Sequence, residues 1–137
     1  MDISVRSKYK NFLFYWLPIL IYCIVIFIQS SYPSPEDVPD ILHFDKFLHF
    51  SAYALLGFLF VRAYRTLLIK DNFNLVIILS ILSSSIYGIS DELHQYYIPF
   101  RDADMMDALM DMFGSVFGAW IYYLFMVKYR SYMLKKS

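Results

Sequence analysis

Three sets of polar residues interrupt stretches of this chain that are otherwise apolar. Asp45, His49 and Tyr53 recur every fourth residue and lead to Gly57, which stacks them on one face of a helix. Ser84, Tyr87, Asp91 and Gln95 form a second stripe, with Glu92 one step round. Asp104, Asp107, Asp111, Gly114 and Gly118 form a third, acids first and glycines after. An ionisable side chain inside a membrane span costs about 2.5–3.5 kcal/mol on insertion scales, so each is a candidate functional residue. His49, Glu92, Asp107 and Asp111 have the donor types for a divalent cation. A carboxyl beside His49 could act as a general base, making His49, Glu92 and Asp107 the candidate catalytic residues. Lys46 and Arg101 are suited to an anionic headgroup or carboxylate, Arg in bidentate fashion. Tyr53 and Gln95 add hydrogen bonds, and Asp45, Asp91 and Asp111 complete the candidate binding set.

The alternative is an ion-pair network that merely holds short helices together. Lys46 and Arg101 cannot together neutralise Asp45, Asp91, Glu92, Asp104, Asp107 and Asp111. The surplus acids must be solvated, protonated or bound to a cation. A water-filled pocket open to one side accommodates them best. His94 is angularly offset from Asp91 and Glu92 and is a weaker candidate. His43, Asp102 and the Glu36-Asp37 pair read as surface groups. Met105, Met106, Met110 and Met112 read as packing and lipid contacts.

Four apolar segments must position these residues, at approximately 11–31, 45–64, 73–95 and 104–127 within a single domain covering residues 1–137. The first has no charge between Lys10 and Glu36, enough for the roughly 20 residues that a hydrocarbon core requires. It is too long for a signal peptide and lacks a good cleavage site, so it reads as a retained helix bent near Pro18. The second and fourth contain only 15 and 16 uncharged residues, about 23 Å of helix against about 30 Å of hydrocarbon. Arg62 and Lys128 can snorkel to one surface. The deficit then draws Asp45, Lys46, Asp107 and Asp111 toward the opposite boundary. The Gly114-x-x-x-Gly118 pattern allows a neighbouring helix to approach closely, which turns the acids of the fourth helix inward.

The charges alternate between gaps. Arg6, Lys8, Lys10, Arg62, Arg65, Lys70, Lys128, Arg130, Lys135 and Lys136 fall before, between and after spans, with only Asp2 and Asp71 among them. The other ten acids fill the alternate gaps, accompanied by Lys46 and Arg101. The positive-inside rule therefore predicts an all-α, four-helix transmembrane bundle with both termini cytoplasmic. The loops 32–44 and 96–103 then lie outside, and 66–74 makes a tight inner turn. The chain is 59% hydrophobic, above the 45–50% of a soluble domain, so it needs the lipid bilayer as solvent. A net charge of zero argues against nucleic acid as a partner. Cys23 is the only cysteine, which excludes an intrachain disulfide or a thiolate metal cluster.

The second to fourth spans resemble the VanZ-like family of bacterial integral membrane proteins, named for a member linked to teicoplanin resistance. The resemblance rests on Asp45-Lys46-x-x-His49-x-x-x-Tyr53-x-x-x-Gly57, then Asp91-Glu92-x-x-Gln95, Arg101, Asp107, Asp111, Gly114 and Gly118. It covers about two thirds of the chain. Two departures stand out: Pro99-Phe100-Arg101 replaces the family's frequent Pro-Gly-Arg, and Asp111 replaces a common Asn. The second either adds a negative charge that favours a cation or places a protonated acid there.

The resemblance implies a multi-pass protein of the bacterial cytoplasmic membrane with a part in cell-envelope biology, including glycopeptide resistance. The expected activity is binding of an envelope lipid or lipid-linked wall-precursor group, or of a glycopeptide, in an outward-facing acidic pocket. The alternative is a membrane-embedded hydrolase or transferase, with a divalent cation as its possible cofactor, acting on a lipid-linked substrate. No His-Glu-x-x-His, Gly-x-Ser-x-Gly or phosphate-cradling Gly loop ties the chain to a known scheme. An ion or proton relay is disfavoured, because below Asp91 and Asp111 the third and fourth spans offer only Ser, Tyr and Gly.

Overall fold

The structure is a computed structural model that describes residues 3–33, 44–67, 69–99, 101 and 103–136. Four helices run in sequence: α1 (Ile3–Ser30), α2 (Phe44–Tyr64), α3 (Phe73–Tyr96) and α4 (Met105–Lys136). There is no strand among the described residues. Each helix contains a segment long and apolar enough to cross a membrane. The outer helices run beyond the expected apolar spans, α1 back to Ile3 and α4 on to Lys136. Most of the expected first outer loop, including His43, lies outside the described residues, as do Phe100 and Asp102.

Local chemistry sets the helix ends. Asn72 caps α3, its side-chain oxygen accepting from the Leu75 backbone N–H at 3.1 Å, which satisfies one of the free amides of the first turn. Asp104 does the same for α4, accepting from the Met106 N–H at 2.9 Å. The third stripe thus begins with a cap rather than with a residue inside the helix. α3 closes through bonds from Tyr97 N to His94 O and from Ile98 N to Gln95 O, both 3.0 Å, and Pro99 follows. α1 continues through Pro18 without a break in the helix.

Polarity is distributed as lipid demands. Phe14, Leu20, Ile86, Leu93, Phe113 and Phe125 stand exposed on the outer faces. The buried set contains Ser80, Ser84, Asp91, Glu92, Gln95, Asp107, Asp111 and Ser115. An interior polar group left without a partner there is costly. Ser115 Oγ donates to Asp111 O and pairs with the Ser84 hydroxyl, both at 2.7 Å.

α2 and α4 form the most extensive helix pair, and glycine makes the approach possible. A Cβ on Gly118 would collide with the Ala54 carbonyl, and one on Gly114 with the Phe50 carbonyl. One on Gly57 would lie 2.5 Å from Ser115 O. All three obstacles are backbone atoms, which cannot swing aside. α1 is held more loosely, packing on α2 and α3 but not on α4 among the described residues. Tyr22 donates to Ala52 O at 3.2 Å and Tyr87 to Cys23 O at 2.6 Å, tying it in place.

Gly118→Ala is therefore expected to destabilise the bundle by about 3 kcal/mol, the upper part of the overpacking range. Val116→Ala, on an exposed face of α4, should shift stability by only about 0.5 kcal/mol. Thermal unfolding in detergent reads both. Equal melting temperatures for the two variants would show that the helices do not meet at Gly118.

Candidate functional site

The three stripes converge at the end of the bundle formed by the start of α2, the end of α3 and the start of α4. His49 is at the centre. Its Nδ1 lies 3.0 Å from Asp111 Oδ1 on α4 and 3.6 Å from Glu92 Oε1 on α3. Its Nε2 lies 3.9 Å from Asp45 Oδ1, one turn back on α2. The imidazole is 10% exposed and the Asp111 side chain fully buried. Asp111 owes that position to Gly88, where a Cβ would come within 2.8 Å of Asp111 Oδ2.

Lys46 serves a different part of the cluster. Its Nζ pairs with Asp104 Oδ2 at 2.7 Å and with Asp107 Oδ1 at 3.1 Å. It joins the start of α2 to the start of α4. The Lys46 ammonium, together with the Met106 N–H, holds the Asp104 carboxyl below the usual carboxylate range. A depressed carboxyl contributes its stability above its ordinary titration range and loses it as pH falls through the lowered value. The Lys46–Asp104 pair therefore persists through neutral and mildly acidic pH.

Asp91, Gln95 and Arg101 form a chain of contacts. Gln95 Nε2 donates to Asp91 Oδ2 at 3.1 Å, and Arg101 Nε donates to Gln95 Oε1 at 3.0 Å. Arg101 also donates to Tyr32 O at 3.1 Å and Gln29 O at 3.4 Å, both just beyond or within the end of α1. It thereby fastens the segment after α3 to the first helix. The neighbouring cavity has a volume of about 300 Å³. Asp45, His49, Asp91, Gln95 and Arg101 line its polar side, and Tyr22, Ile26, Leu48, Ala52 and Tyr53 contribute aromatic and apolar surface.

Of the expected site residues, Asp45, His49, Tyr53, Asp91, Gln95 and Arg101 meet around this cavity. Glu92 and Asp111 lie behind His49, while Lys46 and Asp107 belong to the separate salt bridge. Lys46 and Arg101 thus do not converge on one anion. His94 faces α1, stacked on Phe27 with ring centroids 4.6 Å apart and 3.0 Å from Ser31 Oγ.

The polar cluster sits between the second, third and fourth helices as expected, whereas the cavity beside it lies between α1, α2 and α3. Tyr22, Ile26, Gln29 and Ser30 of α1 contribute to its wall. Their signal was Tyr22, Ile26 and Ser30 at successive intervals of four, a stripe that ends in polar Gln29 and Ser30.

Lys46→Met strands Asp107 in the bundle without its cation and should cost about 1–3 kcal/mol, the penalty of a buried unsatisfied group. Adding Asp107→Asn removes the stranded charge and should recover most of that loss. Unfolding of the single and double variants in detergent measures the coupling. Strictly additive losses would contradict the pairing.

Residues 7–126 match the VanZ/LLP1 family. No curated protein and no solved structure matches the chain. With four helices fit to span a bilayer and a family match over most of its length, the chain belongs to the VanZ/LLP1 family and is a VanZ-like multi-pass membrane protein.

Proposed function

We propose that the protein is an envelope protein of the bacterial cytoplasmic membrane. In this reading it takes the polar headgroup of an envelope lipid or lipid-linked wall precursor into its cavity from the outer leaflet. The cavity carries the proposal. Its volume of about 300 Å³ suits a headgroup, and its lining sets the Arg101 guanidinium and Gln95 amide beside the Asp45 and Asp91 carboxylates, with apolar surface from Ile26, Leu48 and Ala52. The guanidinium and amide can donate to a phosphate or carboxylate, and the two carboxylates can accept from hydroxyl or amine groups of the same headgroup. The loosely packed α1 forms one wall, which provides a lateral way in for a lipid.

The outward orientation follows from charge. Arg62, Arg65, Lys70 and Lys128 lie toward the end of the bundle opposite the acid cluster, where Arg62 covers the Phe14 and Tyr15 rings. With that end cytoplasmic, both termini are cytoplasmic and the cavity faces outward. A proton or ion relay is disfavoured because the fully buried polar groups toward the inner half, Ser80, Ser84 and Ser115, are not ionisable and stand among Leu56, Val61, Val76 and Ala119. An enzyme acting on the same lipid is the second reading, favoured by the position of His49 in the cavity wall with Glu92 and Asp111 behind it. A role in lowered glycopeptide susceptibility belongs to the same proposal, through the precursor rather than the drug.

Two experiments test it. In a Cys23→Ala background, a cysteine at the exposed Tyr97 should react with an impermeant maleimide from outside intact cells. Labelling only after lysis would invert the orientation. In nanodiscs, polyprenyl phosphate should bind saturably by native mass spectrometry and phosphatidylglycerol more weakly. Arg101→Ala, and Ala52→Phe which fills the cavity, should each weaken polyprenyl phosphate binding at least about tenfold. Unchanged binding in both would contradict the proposed site, and conversion of the probe would favour the enzyme.

A further inference from the structure

Glu92 and Asp111 pose a problem that Lys46 and Arg101 do not solve. They are 7% and 0% exposed. Lys46 is committed to Asp104 and Asp107, and Arg101 to Gln95 and the end of α1. Among the described residues, the remaining group beside both carboxylates that can carry a positive charge is His49. Its single Nδ1 reaches Asp111 Oδ1 at 3.0 Å but stops 3.6 Å from Glu92 Oε1, beyond a hydrogen bond. Among the described residues, neither Glu92 Oε1, the oxygen that faces His49, nor Asp111 Oδ2 has a hydrogen-bond partner, and both are buried. Buried carboxylate oxygens left in that state are costly.

We propose that His49, Glu92 and Asp111 form a buried site for one divalent transition cation of zinc's size and donor preference. A neutral imidazole and two carboxylates balance a charge of +2, which a protonated histidine cannot do. The three ligand atoms lie within 4.8 Å of one another. Donors bound tetrahedrally at 2.0–2.1 Å are about 3.3 Å apart, between the 3.0 and 3.6 Å separations from His49 Nδ1. One nitrogen and two carboxylates suit zinc or manganese better than calcium, which takes six to eight oxygens.

The surroundings fit the same assignment. A metal-binding histidine usually directs its other ring nitrogen toward a carboxylate, and Asp45 lies 3.9 Å from His49 Nε2. Asp104 N donates to Glu92 Oε2 at 3.3 Å, leaving Oε1 for the ion. His49 also lines the cavity, which gives an ion a route in and leaves room for water as a further ligand. The other possible grouping, Asp45, His49 and Asp107, is disfavoured because the Lys46 ammonium already occupies Asp107 Oδ1 and Asp45 is 66% exposed. This site does not depend on what fills the cavity.

The test uses the full chain in nanodiscs, stripped with a chelator and titrated with Zn²⁺, Mn²⁺ and Co²⁺. Metal retained after gel filtration should reach one equivalent per chain, and Co²⁺ should give the visible absorption of a four- or five-coordinate site. Glu92→Gln and Asp111→Asn should each weaken binding by more than about a hundredfold, and Asp45→Asn by about tenfold. Asp107→Asn should leave the affinity within a few fold. Metal at the level of empty nanodiscs, with no Co²⁺ spectrum, would overturn the site. So would undiminished binding in Glu92→Gln, or loss in Asp107→Asn with retention in Asp111→Asn. If a variant does not fold, the wild-type Co²⁺ spectrum and a zinc-dependent rise in melting temperature decide the matter. Failure of polyprenyl phosphate binding would leave these readouts unchanged.

Discussion

The close contact of α2 with α4 is the constraint on which the rest of the molecule depends. Lipid provides little hydrophobic drive for one helix to leave it and join another, so packing must do the work. Gly114 and Gly118 rest on the backbone of Phe50 and Ala54, and Gly57 rests on that of Ser115. At that separation, the residues one or two turns away along the same faces must meet. His49 then faces Asp111, and Lys46 faces Asp107. Glycine at one end of each face and charge at the other are two parts of one arrangement. The first brings the backbones together, and the second places ionisable groups where water is scarce.

The resulting interior has two electrostatic compartments. Around Lys46, cation and acids pair directly, and Asp104 adds a helix cap to its salt bridge. Around His49, two buried carboxylates share one imidazole, and two of their oxygens have no partner. The first compartment has the character of a structural clamp between helix starts. The second has the character of a site, because a cation bound beside the imidazole would take up the free Glu92 Oε1 and offset the charge of both carboxylates. The cavity stands against the second compartment, with His49 forming part of its wall.

Much of this arrangement is legible in the spacing of the residues. Asp45, His49 and Tyr53 share a face of α2 as their intervals require, and the Asp107–Asp111–Gly114–Gly118 stripe turns inward. The contribution of α1 is harder to see, because a search for ionisable residues passes over Tyr22, Ile26 and Ser30. Spacing also cannot tell which acid Lys46 reaches. Asp107 and Asp111 are neighbours on one stripe, yet one meets an ammonium and the other an imidazole. Gly88 shows a further limit: its importance is that Asp111 on another helix occupies the space beside it, and only the packed pair reveals that.

If the α2–α4 contact holds His49 against two buried carboxylates as a cation site, an anomalous-scattering crystal structure of the zinc-loaded protein, grown from a lipid phase, shows the ion directly. The expected zinc peak lies about 2.0–2.2 Å from His49 Nδ1 and from an oxygen of both Glu92 and Asp111. A map without that peak, in which the imidazole donates directly to Asp111 and Glu92 points elsewhere, would contradict the cation site.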